Sequence, residues 1–206
     1  MTTPYTPSGY SIVQAGHIVS VVTCLEMCSK PQTRIIEFPD HVELVFVATP
    51  DLDAYRDLYR KIGANWLWFS RLVMSDEELG AALNDKDVHV HVLRKNQEDI
   101  GLLELDFRQK GQCEIVFLGL TTDATGQGLG RALMNKAIAF AWSQNIERLW
   151  LHTCSLDHPN ALAFYIRSGF SPYAFQVESQ PDPRLTGHLP TDSAPHVPLI
   201  RPSPWA

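Results

Sequence analysis

Residues 113–142 read CEIVFLGLTTDATGQGLGRALMNKAIAFAW. An apolar run from Cys113 to Leu120 has the composition of a strand and gives way to four polar or small residues and a glycine turn. The turn opens directly into an amphipathic pattern, with Leu129, Leu133, Ala137 and Phe140 at helical spacing. The first turn of a helix has N–H groups without intrahelical partners and a partial positive charge. Gly126, Gly128 and Gly130 put no side chain over those groups, so the entrance suits a phosphate or pyrophosphate. A phosphate-bearing cofactor is therefore expected here.

Three glycine-rich patterns compete for this turn. A P-loop needs Lys and then Ser or Thr after its last glycine, but Arg131 and Ala132 follow Gly130. The dinucleotide fingerprint needs a third glycine where Arg131 stands. Its acidic residue should end the next strand, whereas Glu147 precedes that strand.

The third pattern is the pyrophosphate loop of the GNAT superfamily of N-acetyltransferases, Q/R-x-x-G-x-G/A. Thr125-Gly126-Gln127-Gly128-Leu129-Gly130 resembles it, with Thr125 at the Gln/Arg position. Glu114–Phe117 resembles the central strand of the histone-acetylating branch, at the same distance from the loop. The segment from His158 through Tyr165 to Gly169-Phe170 is similar to the family's last helix, N-x-x-A-x-x-L-Y-x-x-x-G-F, with His158 in place of Asn. The resemblance covers 113–172 and extends over 50–112. It implies an α/β, GNAT-like three-layer fold: a mixed, mostly antiparallel sheet, helices on both faces, and a splayed parallel strand pair.

Upstream, HIVSVVTCLEM and HVELVFVAT read as two strands within residues 1–48, separated by the polar segment 29–40. Thr49 and Pro50 form a helix start, with Leu52, Tyr55, Leu58, Tyr59 and Ile62 as the apolar stripe and Gly63 as the stop. Ser75 to Glu78 is a capping box. Strands at 88–94 and 99–108 follow. Downstream come a helix over 128–144, a strand at 148–154 parallel to 113–120, a helix over 159–168 and a strand over 172–178. The proline-rich remainder reads as an irregular tail on the surface. The expectation is one domain over 1–206: N-terminal strands in 1–48, a core over 49–178 and a tail over 179–206.

The formal charge is −6, without a Lys/Arg block, which argues against nucleic-acid binding. No apolar run reaches membrane-spanning length, and the start lacks a secretory pattern. The four cysteines have no framework spacing, so a reduced, cytoplasmic protein is expected. Residues 1–48 have three roles open to them: completing the sheet, forming a homodimer contact or shaping an acceptor pocket.

The resemblance implies an acyltransferase that moves an acetyl group from acetyl-coenzyme A to a primary amine by direct attack, without a metal. An alkyl ammonium must first lose a proton, which at pH 7 costs about 4.6 kcal/mol. Glu114 matches the family's base. On a strand it would share a face with Val116, Leu118 and Leu120; Glu104, Asp106 and His152 are its rivals. The family's splayed strand implies that the Leu118 and Leu120 backbones meet the pantetheine arm, with the Leu118 N–H as oxyanion donor. Gly119 fits a bulge or a close backbone approach. Tyr165 matches the acid that protonates the leaving sulfur. Residues 126–131 would hold the pyrophosphate, and Arg131 or Lys136 could meet a coenzyme phosphate. His89 with His91, and His152 with Cys154 and His158, have the residue types of metal ligands, though such a transfer needs no metal. Trp66, Trp68 and Phe69 lie where the family places part of its acceptor pocket. A small-molecule amine is the first acceptor expected; a protein lysine or N-terminus, and a non-catalytic acyl-coenzyme A sensor, are the alternatives.

Overall fold

The structure, a computed structural model, describes residues 8–32 and 36–202. The two N-terminal patterns become β1 (His17–Met27) and β2 (Val42–Phe46), followed by α1 (Leu52–Gly63), α2 (Asp76–Leu83), β3 (Val88–Lys95), β4 (Glu98–Asp106) and β5 (Gln112–Leu120). Then come α3 (Leu129–Ala141), β6 (Arg148–Cys154), α4 (Ala161–Arg167) and β7 (Ser171–Pro181). The strands form one sheet in the order β2-β3-β4-β5-β6-β1-β7, antiparallel except between β5 and β6.

Helices cover both faces, as expected. Tyr55, Leu58, Tyr59 and Ile62 of α1 and Leu79 and Leu83 of α2 pack on Val90, Val92 and Leu102. On the other face Leu133, Ala137 and Ile138 of α3 pack on Leu103, Leu105, Ile115, Leu149 and Leu151. The start of α1 differs from the reading of its sequence. Asp51 is the N-cap, accepting from the Ala54 N–H at 2.9 Å, because its carboxylate reaches back to the first turn where Thr49 stands too far upstream. Gly63 does not end the helix through a left-handed turn; it lacks a Cβ because Trp68 lies there, 2.4 Å from where one would stand. Ser75 and Glu78 form the expected capping box.

β1 completes the sheet at a place far from β2. It lies between β6 and β7, with Leu25 opposite Leu151 and Val21 opposite Val177. Ahead of β2, Glu37 lies beside α3 and pairs with Lys136 at 2.9 Å. The proline-rich tail carries no helix or strand beyond β7 among the described residues, yet it is not a loose surface wrap. Asp182 and Arg184 are buried, and Leu189 and Ala194 pack with Ile18 and Leu67. Among the described residues no helix is long and apolar enough to cross a membrane.

Candidate active site

The glycine turn stands open. Gly126 and Gly128 have φ of +76° and +80°, a region costly for side-chain-bearing residues, and a Cβ added at either would meet nothing within 4 Å. Gly128 caps α3 without a side-chain hydrogen bond. Among the described residues, the amides of 126–130 donate to no protein acceptor. Thr125 turns its hydroxyl onto the Thr122 carbonyl at 2.6 Å, and the Gln127 amide onto the Asp123 carbonyl at 2.7 Å. Arg131 points instead at α4. Its guanidinium donates to Ser168 Oγ at 2.7 Å and lies over the Phe164 ring at 4.8 Å. Burial, and then neighbouring Arg167, lower its pKa.

The parallel pair β5–β6 separates after three residue pairs, the last being Glu114 with Trp150. Beyond it, β5 stays paired with β4 alone and β6 with β1 alone. Leu103 faces Leu118 and Gly101 faces Leu120, while the Thr121 N–H donates to the Ile100 carbonyl at 2.9 Å. Hydrogen-bonded and non-hydrogen-bonded pairs alternate along an antiparallel ladder. Counting back from Thr121, Leu120 and Leu118 fall in non-hydrogen-bonded pairs, so their N–H and C=O groups face the gap rather than β4. The bulge in β5 is at Val116, between the pairs Ile115–Leu105 and Phe117–Glu104. Gly119 is a place of close approach instead: a Cβ there would stand 2.5 Å from Ile62 and 3.0 Å from Trp68.

The bulge alters the expected face of Glu114. Leu118 and Leu120 pack with Cys113 and Ile115 on the α3 side, because one extra residue reverses the alternation. Glu114 lines a shallow opening with Asp106, Arg108 and Trp150. Its carboxylate lies 3.4 Å from His152 Nδ1. His152 in turn lines a second cavity, of about 170 Å³, with Leu118, Tyr165, Trp66, Trp68 and Phe69. The two openings meet at the Glu114–His152 pair, and the hydrogen bond to Glu114 raises the pKa of His152. Two of the rival carboxylates are engaged elsewhere. Glu104 is buried and accepts from Tyr55 Oη at 2.5 Å and from Arg71, and Asp106 is held by Arg108.

Tyr165 reaches this cavity from α4, and burial raises its phenol pKa, with Asp157 adding to the effect. Asp157 was not legible as a site residue. It accepts from Trp68 Nε1 at 3.0 Å, Thr153 Oγ1 at 2.7 Å and the Cys154 N–H at 2.9 Å. It thereby ties the aromatic wall to the end of β6. His158 stands in for the family's Asn as a local cap: its Nδ1 accepts from the Asn160 N–H at 3.1 Å, and its ring packs against Trp66. His89 and His91 lie among Phe46, Phe107 and Phe140. Among the described residues, no three His, Cys, Asp or Glu side chains converge to hold a metal.

Comparison with known proteins agrees with this architecture. Residues 52–170 match the model of the acetyltransferase (GNAT) family. A mycothiol acetyltransferase of Jonesia denitrificans is 36% identical over 107 residues, covering 50% of this chain and 33% of that protein. An uncharacterized N-acetyltransferase of Methanocaldococcus jannaschii is 28% identical over 143 residues, covering 65% and 56%. The chain thus spans a third to about half the length of these curated relatives. Among solved structures, a GCN5-related N-acetyltransferase from Sphaerobacter thermophilus superposes with a TM-score of 0.57 at 14% identity, covering 80% of this chain and 53% of that one. An aminoglycoside acetyltransferase from an uncultured soil sample gives 0.53 at 22%, covering 64% and 90%. These two likenesses concern the fold. With the family model covering more than half of its residues, the chain belongs to the acetyltransferase (GNAT) family.

Proposed function

We propose that the protein transfers an acetyl group from acetyl-coenzyme A to a primary amine of a small molecule. The observation that carries this reading is the gap beyond Glu114–Trp150, with the Leu118 and Leu120 backbones facing it and His152 and Tyr165 on the adjoining cavity. The unengaged amides of 126–130 would hold the pyrophosphate. Arg131, beside Arg167 and without a carboxylate partner among the described residues, adds positive charge nearby. The pantetheine arm would pair with Leu118 and Leu120 as an added strand does.

His152, backed by Glu114, takes the proton of the ammonium and frees its lone pair. The amine nitrogen attacks the thioester carbon, and the Leu118 N–H stabilises the oxyanion. As the C–S bond breaks, Tyr165 gives its proton to the sulfur; the attacking nitrogen loses its second proton, which restores the phenol through solvent, and the first leaves His152 for bulk water, so one proton is released for each amide formed. The family relatives named for mycothiol and for an aminoglycoside favour a small-molecule acceptor over a protein lysine or N-terminus.

The test is thiol release from acetyl-coenzyme A across a panel of amines, on wild type and Tyr165→Phe. We expect turnover in the wild type and a fall in kcat of roughly 100-fold or more in the variant, with the Kd for acetyl-coenzyme A unchanged. Binding without turnover on any amine would support an acyl-coenzyme A sensor instead. Full activity in Tyr165→Phe would remove the tyrosine from the acid role.

A further inference from the structure

One wall of the cavity beside His152 is aromatic. Tyr59, Trp68 and Phe117 pack on one another with centroids 5.0–5.6 Å apart. Arg71 lies over Phe117 and is itself paired with buried Glu104. The Trp68 indole is tied to Asp157. Trp66 is flanked by the rings of His158 and His196, at 5.1 and 5.8 Å. These rings are held before any ligand arrives, so a ligand that stacks on them would not have to order them.

Apart from His152, the charged side chains of the cavity are carboxylates. No lysine or arginine is among its described lining residues. Asp157 is engaged by three donors, but Glu178 is exposed at the rim, with Ser20 Oγ at 3.5 Å, and Glu114 lies behind His152. A cation is therefore drawn in and an anion turned away. Against the Trp66, Trp68 and Phe69 rings the hydroxyls of a polyhydroxylated amine would go unpaired, and burying them so is costly.

Resting on the transferase reading above, we propose that the acceptor is an amine that carries an aromatic ring. The ring lies against Trp66, Trp68 and Phe69, and the nitrogen faces His152. Aromatic pairs in offset or edge-to-face contact contribute beyond the area they bury, and ammonium groups are attracted to ring faces.

Equilibrium binding of 2-phenylethylamine, 2-cyclohexylethylamine and glucosamine, measured by calorimetry with coenzyme A present, reads this wall without chemistry. The ratio of phenyl to cyclohexyl affinity is compared between wild type and Trp66→Leu, which cancels the difference in ligand hydrophobicity. We expect that ratio to fall about threefold to tenfold in the variant, with glucosamine the weakest ligand of the wild type. Phe69→Leu repeats the measurement should Trp66→Leu fold poorly. An unchanged ratio, tighter binding of glucosamine, or no binding of either ring amine would overturn the proposal. Thiol release on the same amines is scored separately, so a missing transferase activity and a missing ring preference give different results.

Discussion

The hydrogen bond that His152 donates to Glu114 raises the pKa of His152, so the imidazole keeps its proton to a higher pH than a free histidine. The sign follows from linkage. A raised folded-state pKa stabilises the fold fully below the ordinary histidine value of about 6.5, and the contribution disappears as pH rises through the raised value. Replacing the carboxylate should reverse the shift. In Glu114→Gln we expect the His152 titration midpoint, followed by NMR, to move down toward about 6.5, with kcat lower by roughly 100-fold. An unmoved midpoint would show that the two side chains do not pair in solution. Glu114 and Tyr165 were legible as chemical candidates because they stand at family positions in a recognisable order, and His152 was legible as a rival base. Their division of labour was not, since the Val116 bulge decides which side of the sheet Glu114 occupies. Asp157 escaped notice for a related reason: its three donors come from two separate segments, Trp68 and the end of β6.

β5 changes partners along its length. Its first residues join β6, its middle bulges at Val116, and its last residues leave β6 while remaining on β4. The tail after β7 is held by a buried ion pair and by packing. Arg184 donates to both carboxylate oxygens of Asp182, at 3.0 and 2.7 Å, and to the Val197 carbonyl at 2.9 Å. Leu189, Ala194 and Val197 then rest with Leu67 and Leu72, in the loop that carries Trp66, Trp68 and Phe69. Arg184→Met leaves Asp182 buried and unpaired, a change that costs about 3–5 kcal/mol where a buried pair is broken. We expect proteolysis within 182–202 before the rest of the chain is cut, and a higher amine KM with the acetyl-coenzyme A Kd unchanged. His196→Ala, on an exposed residue, should raise the amine KM without exposing the tail. Equal losses in both substrates would mean that Arg184 supports the fold at large rather than this loop.

We propose that the whole chain acts as a single acetyltransferase domain, because one sheet runs from β2 to β7 and its C-terminal half is held together by an N-terminal strand. Urea unfolding followed by far-ultraviolet circular dichroism and by tryptophan fluorescence should then give coincident midpoints. Separated transitions would mean that β6, β1 and β7 come apart from the rest as an independent unit. By itself the sequence determined the local order of strand, glycine turn and helix, the capping box of α2 and the uncovered glycines at the start of α3, because each rests on φ preferences, spacing and capping within a few residues. Only the tertiary structure decided that β1 enters between β6 and β7, that the tail is pinned by Arg184, and that Glu114 stands beside His152. Alternation along a strand tells which face is apolar but not which strand lies beside it, and that choice is made by the packing of segments far apart in the chain.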